Sequence, residues 1–314
     1  MISTHSKPTC ALIGAGFIGT SLITRLTTEG YSVKVLTRSF STQHLQFQSV
    51  SFFYGDFSDS NLLERVLTGC DVAIHLISST VPCDLHIDFP NDLRENLFST
   101  ISFLELCSKQ NVDHVLFASS ASVYGDPGDI EYLTELSLTN PISSHGMQKL
   151  SIEKYLIYYS RLFSLNVHIL RISNPFGPLQ NIDGRQGFIA MVIGYIKKCQ
   201  PVPIRSEGTI IRDFLFVDNV SFAFQFCIDN PHLPSIINVS SGEGRSLSTV
   251  LSDISCLSDV NISTIQLQDI PTDIVRSILQ PCVLLDNLPS WPPISFSEGL
   301  ISTLKHHSLY PPGN

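Results

Sequence analysis

A short apolar run, Thr9-Cys10-Ala11-Leu12-Ile13, is followed at once by Gly14-Ala15-Gly16-Phe17-Ile18-Gly19. A helical pattern then runs through Ser21-Leu22-Ile23-Thr24-Arg25-Leu26 and stops at Gly30, and a second apolar run, Val33-Lys34-Val35-Leu36, comes next. Strand, glycine turn, helix and strand in this order constrain the fold more than any other feature of the chain. Gly14 permits the tight turn, and Gly16 lets the backbone approach a pyrophosphate. Gly19 lets the helix pack close to the sheet, with its N-terminal N–H groups facing the phosphates. A G-x-G-x-x-G alone is a weak sign of a dinucleotide; in this frame, with Phe17 and Ile18 inside the turn, it is a strong one.

The alternation continues. Val50–Tyr54 leads into Gly55-Asp56-Phe57, with Asp56 placed to bond an adenine amine, and Asp71–Leu76 is a further buried strand whose end, at Leu76, faces the same ligand. His75 lies inside that apolar run and is expected to be a core histidine rather than a ligand. The helix predicted over Leu93–Lys109 carries Asn96, and the strand His114–Ala118 delivers Ser119-Ser120. Five or more such units predict an α/β fold, a Rossmann-type doubly wound parallel sheet that binds its ligand at the carboxyl ends of the strands. An acidic residue after the second strand would bind the ribose hydroxyls of NAD; Thr37-Arg38 stands there instead. Arg38 can pair with a 2′-phosphate, stack on adenine or stay solvated, so NAD and NADP both remain open.

Composition narrows the class. The 314 residues carry a net charge of -9, which argues against a nucleic-acid footprint of clustered Lys and Arg. No apolar stretch reaches the roughly 18 residues of a membrane span and no secretory signal is visible, so a cytoplasmic protein is expected. The eight Cys form no C-x-x-C pair, which points to reduced thiols and to no metal.

The second informative frame is Ser119-Ser120-Ala121-Ser122-Val123-Tyr124-Gly125, followed by Pro141-Ile142-Ser143-Ser144-His145-Gly146-Met147-Gln148-Lys149. Later come Leu170-Arg171-Ile172-Ser173-Asn174-Pro175-Phe176-Gly177-Pro178, then Arg212-Asp213-Phe214 and Asn238-Val239-Ser240-Ser241-Gly242-Glu243-Gly244. With these segments the chain resembles the extended short-chain dehydrogenases/reductases, the NAD-dependent epimerase/dehydratase family, and within it nucleotide-sugar 4-epimerases of the UDP-glucose 4-epimerase type. The resemblance covers nearly the whole length.

It implies a nicotinamide cofactor, held by Gly14, Gly16, Phe17, Ile18, Gly19, Arg38, Asp56, Phe57, Leu76, Asn96 and Lys149. It also implies a catalytic set of Ser120, His145 and Lys149. The family pattern P-x-S-x-Y-G-x-x-K has Tyr where this chain has His145, and its first turn glycine is replaced by Ile13. A neutral imidazole can accept a proton and an imidazolium can return it, but the ring is shorter than a phenol. Lys149 follows His145 by four residues, which places both on one face of a helix expected over Gly146–Phe163. Tyr124 fits a structural motif better than a substitute base.

The resemblance further implies that Ser120, Asn174, Arg212 and Asp273 bind a UDP-sugar or related nucleotide-sugar. The fixed fork of an Arg suits a diphosphate. A basic residue usual just before the last of these is Ile270 here, and Gln186–Ala190 are expected to line the sugar site. Residues 1–173 are read as the dinucleotide-binding domain. Residues 174–314 are read mainly as a smaller α/β substrate-binding lobe, with some segments returning to the first domain. The helices are apolar on more than one face, at Phe103, Leu106, Leu156, Tyr159 and Leu162, which suits a homodimer through a four-helix bundle. The competing functions are a dehydratase, disfavoured by Ala121-Ser122 in place of an acidic pair, a reductase, and a binding protein that has lost its proton carrier.

Overall fold

The computed structural model describes residues 7–78, 88–184, 186–269 and 274–311. In chain order the elements begin with β1 Thr9–Ile13, α1 Phe17–Thr28, β2 Ser32–Thr37, β3 Val50–Tyr54, α2 Ser60–Leu67 and β4 Val72–His75. They continue with α3 Phe89–Leu93, a π-helical turn Arg94–Phe98, α4 Ser99–Lys109, β5 His114–Ser120, α5 Ser144–Phe163 and β6 Asn166–Ile172. Then come β7 Asn174–Phe176, α6 Phe188–Lys197, β8 Val202–Ile204, β9 Ile211–Phe216, α7 Val217–Asp229 and β10 Ile236–Val239. The last are β11 Gly244–Ser246, α8 Leu247–Ser258, β12 Thr264–Gln266, β13 Arg276–Ser277, α9 Cys282–Asn287 and α10 Phe296–His306.

The main sheet has seven strands in the order β10-β6-β5-β4-β1-β2-β3, and the β1–β2, β2–β3, β1–β4 and β4–β5 pairs are all parallel. The chain winds from β1 outward through β2 and β3, then returns to β4 on the other side of β1. The strand order therefore reverses between β1 and β4, the place where an open sheet of this kind receives a ligand. Cys10–Ile13 of β1 are fully buried, as expected of a strand covered on both faces. Leu22, Ile23 and Leu26 give α1 one apolar face. The Asp59 carboxylate caps α2 by accepting from Asn61 N and Leu62 N at 3.0 and 3.1 Å, worth about 1 kcal/mol.

Two helices depart in detail from the sequence expectation. The helix over 93–109 begins earlier, at Phe89, and passes through a π turn that carries Asn96. Helix α5 starts at Ser144 because the Ser143 hydroxyl accepts from Gly146 N at 3.1 Å, so His145 lies within its first turn.

The chain forms two compact units, and neither is contiguous. The first comprises 1–119, 147–170 and 221–236; its core joins Ala11, Ile13, Phe57, Phe103, Phe117, Ile152 and Ile169, among others. The second comprises 120–146, 171–220 and 237–314, so a division at residue 173 is crossed in both directions. It contains the β11-β9-β13 sheet with β7 paired to β9, and the β12-β8 pair. Phe176, Ile193, Phe214, Phe216, Leu251 and Phe296 belong to its core. Trp291 is buried there, its indole N–H donating to Ser240 O at 2.8 Å.

Candidate active site

In the first unit the glycine turn divides its labour among three residues. Gly14 has a φ of 111°, and its N–H donates to Leu36 O at 2.9 Å, tying the end of β1 to β2. A Cβ on Gly19 would lie 2.2 Å from Gly14 O, so only glycine lets α1 start this close to the turn. A Cβ on Gly16 would meet nothing within 4 Å. Gly16 is also the N-cap of α1, whose first N–H groups have no side-chain cap and no acidic residue beside them. An open approach to uncapped N–H groups at the end of a central strand fits a dinucleotide pyrophosphate. Phe17 and Ile18 open α1 directly after the turn, and Leu76, beyond β4, has its Cδ1 3.5 Å from the place a Gly19 Cβ would take.

Arg38 and Asp56 are exposed just beyond β2 and β3. The Asp56 carboxyl is held below the usual range, first by the Ser58 hydroxyl and N–H at 2.6 and 2.8 Å and more weakly by the charge of Arg38. The Phe57 ring is committed to the core, against His75 and Phe103 at centroid separations of 4.9 and 5.9 Å. His75 is a core histidine: its Nε2 is 2.8 Å from Thr100 Oγ1, and burial, with the charge of Lys149 adding, pulls its pKa down to about 3. Asn96 is buried, and its side-chain amide donates to Asp92 Oδ1 at 2.8 Å.

Lys149 is buried, donates from Nζ to Ala118 O at 2.7 Å and lies over the Phe117 ring. Burial pulls its pKa down to about 7, opposed by the carboxylate of Glu153 one turn further along α5. Glu153 in turn accepts from the Ser119 hydroxyl at 2.5 Å. Its spacing of four from Lys149 is the one sequence signal of this role, and the Ser119 partner is 34 positions away.

In the second unit Ser120 Oγ accepts from the N–H and hydroxyl of Ser122 at 3.2 and 3.0 Å. A Cβ on Gly146 would sit 2.5 Å from Ser122 O, so the turn of α5 that carries His145 rests directly on the Ser120–Ser122 turn. His145 is buried there, one helical turn before Lys149 on α5. Tyr124 is not available as a base. Its hydroxyl donates to Asn238 Oδ1 at 2.6 Å, its ring packs under Arg171, and burial pushes its pKa up to about 12.

Asn174 and Arg212 are brought together by β7 and β9, where Asn174 Nδ2 donates to Asp213 O at 2.9 Å. Arg212 is half-buried, and Arg245 stands directly opposite it across the β9–β11 pair, a second cation that sequence spacing did not reveal. Next to Arg212 in the chain, Asp213 is fully buried and accepts from Ser241 N, Ser241 Oγ and Gly242 N at 2.9, 2.8 and 3.1 Å. Burial lifts its pKa to about 6 against those bonds. Asp273 and Ile270 lie outside the described residues.

Residues 12–240 match the NAD dependent epimerase/dehydratase family. The chain belongs to that family. Among its relatives is a UDP-glucose 4-epimerase of Mycolicibacterium smegmatis, 29% identical over 221 residues, 67% of this chain and 69% of that protein. Another is a dTDP-4-dehydro-6-deoxyglucose reductase of Escherichia coli, 26% identical over 249 residues, 77% of this chain and 78% of that one. The crystal structure of Thermus thermophilus UDP-glucose 4-epimerase in complex with NAD is 26% identical, superposes with a TM-score of 0.87, and covers 96% of this chain and 99% of its own. The Rossmann-type fold and the family membership expected from the sequence both stand. Among the described residues no helix is long and apolar enough to cross a membrane, and no group of His, Cys, Asp or Glu is arranged to hold a metal.

Proposed function

We propose that this protein is a nucleotide-sugar epimerase of the UDP-hexose 4-epimerase type. The observation that carries the proposal is an open, uncapped glycine turn at the sheet's switch point, in a chain that also presents Ser120, His145 and a buried Lys149. Gly14–Gly19, Leu76, Asn96 and Lys149 would hold a nicotinamide dinucleotide, with Arg38, Asp56 and the backbone of Phe57 toward its adenosine end. Bound there, the nicotinamide would take hydride from a sugar carbon and give it back to the other face. Ser120 would hold the reacting hydroxyl, and His145 would accept and return its proton. Lys149 would bond the nicotinamide ribose. Arg212 and Asn174 would bind the diphosphate and Asp273 the uridine ribose. The NAD in the Thermus thermophilus structure favours NAD over NADP.

A homodimer through α4 and α5 suits the exposed Leu93, Phe98, Tyr155, Tyr158 and Leu162 on and beside those helices. Seven free cysteines among the described residues suit the cytoplasm.

One observation favours a second function. With His145 in place of Tyr, the chain could bind both nucleotides and not turn them over. Incubation with NAD and UDP-glucose or UDP-galactose, followed by NMR of the sugars, separates these cases. Interconversion without net redox supports the epimerase. Net consumption of reduced cofactor indicates a reductase, loss of water a dehydratase, and binding alone the inactive scaffold. In an active protein His145→Phe should abolish turnover and His145→Tyr raise it, by up to about 10²–10⁴-fold.

A further inference from the structure

Asp92 is a buried carboxylate, 7% exposed, and both of its oxygens are taken by side-chain amides. Asn96 Nδ2 donates to Oδ1 at 2.8 Å and also to the Asp92 carbonyl at 2.9 Å. Gln148 Nε2 donates to Oδ2. Gln148 is itself buried and directly precedes Lys149 on α5. On its other side the arrangement continues inward. The carbonyl of Asn96 accepts from Thr100 Oγ1 at 2.5 Å, and Thr100 Oγ1 meets His75 Nε2 at 2.8 Å. Thr100 is fully buried, so this polar line is fixed to the core at one end and to the early turns of α5 at the other.

Burying a carboxylate is costly unless its oxygens are bonded, and a bond to an ionised acceptor is about twice as strong as a neutral one. A much cheaper apolar contact would hold α5 against the sheet equally well. What a bonded carboxylate adds is direction, because it fixes where Gln148 points and thereby the rotation of the turns around it. An imidazole reaches less far than a phenol, so the tolerance for a misplaced helix is smaller here than with Tyr in that place. A displacement of about 1 Å costs on the order of 10²-fold in rate.

We propose that Asp92, acting through Gln148, is a positioning residue that sets the rotation of α5 and so aims His145 and Lys149. The π turn Arg94–Phe98 is part of the device, since it carries Asn96, the second amide on the same carboxylate. The proposal rests on His145 as proton carrier only for its catalytic consequence; the tie itself is independent of it.

The test exchanges donor and acceptor. D92N replaces the charged acceptor with an amide and should lower kcat about 10–100-fold while KM for the nucleotide-sugar stays within about twofold. Q148E alone sets two carboxylates face to face and should be worse. In D92N/Q148E the amide introduced by D92N donates to the carboxylate introduced by Q148E, while its oxygen still accepts from Asn96, and kcat should recover to within about threefold of wild type. Hydrogen exchange supplies a readout that needs no turnover. In D92N the amides of residues 147–151 should exchange about tenfold faster than in wild type, with the C-terminal half of α5 unchanged, and the double variant should restore them. Unchanged kcat and unchanged exchange in D92N would overturn the proposal, as would a double variant no better than the single ones. If the wild type is inert toward every UDP-hexose, the epimerase assignment falls, and the exchange pattern alone then decides for or against the tie.

Discussion

Adding one methyl group at Gly16 and at Gly19, three residues apart, should have opposite consequences. At Gly19 the new carbon would lie 2.2 Å from Gly14 O and 3.1 Å from the carbonyl carbon. An ordinary C···O contact is about 3.3 Å or more, so the turn or the helix must shift by about 1 Å. Forcing a methyl into a packed site costs about 1–3 kcal/mol, against a gain of about 1 kcal/mol from alanine's better helix propensity. A net loss of up to about 2 kcal/mol follows, together with a displaced turn. At Gly16 the carbon meets no protein atom, and the φ of -76° is ordinary for alanine. The poorer N-cap costs up to about 1 kcal/mol, and the less flexible unfolded chain returns about 0.4–1 kcal/mol, so the two largely offset and stability stays within about 1 kcal/mol. The methyl instead projects where the pyrophosphate would come. Urea unfolding and calorimetric titration with NAD measure both quantities. Gly16→Ala should unfold with the wild type and bind at least about tenfold more weakly; Gly19→Ala should lose both stability and affinity. Undiminished NAD affinity in Gly16→Ala, or wild-type stability together with wild-type NAD affinity in Gly19→Ala, would refute the division of labour.

Acid should destabilise the fold well above the ordinary carboxylate range, opposed only in part by proton uptake at Asp213 below about pH 6. His75 and His114 are buried and have pKa values of about 3, His114 by burial with its hydrogen-bonded neighbour His168 adding, so below about pH 6.5 the unfolded chain takes up protons that the folded one refuses. Each should remove about 1.4 kcal/mol per pH unit between about pH 6.5 and 5, and a flat urea midpoint over that range would contradict this. Tyr124→Phe breaks the bond to Asn238 and should cost about 1–2 kcal/mol in urea unfolding, leaving NAD affinity unchanged; full stability with complete loss of proton transfer would make Tyr124 the base after all. Arg212→Ala should weaken UDP binding by roughly 2–4 kcal/mol in a titration, and equal binding would remove Arg212 from the diphosphate site.

The features legible in the sequence are those whose physics is local. The glycine turn, the strand ends at Asp56 and Leu76, and the four-residue step from His145 to Lys149 all lie within one or two elements, so spacing alone exposes them. Long-range polar partners do not announce themselves. Asp92 and Gln148 look like ordinary helix-surface residues, and only the packing of α5 makes them a buried pair. Tyr124 illustrates the same limit, since its partner Asn238 is 114 positions away. The start of α5 turned on one serine: Ser143 caps it, so the helix begins at Ser144 rather than at Gly146 and His145 lies inside its first turn. The order in which the chain alternates between its two units has no local signature at all.

That order has a consequence for synthesis. Helix α1 is completed late, because Ser21 and Arg25 bond Ser221 and Gln225 at 2.8 and 3.1 Å, and Tyr31 bonds Asp229. A ribosome adding about 5–20 residues per second takes several seconds to pass from β6 to β10. Throughout that interval the nascent main sheet stands without its last covering segment, one flank bare to chaperones and to other growing chains. A polypeptide stalled near residue 173 is therefore an unfinished unit, and the first safe stopping point lies beyond Ile236.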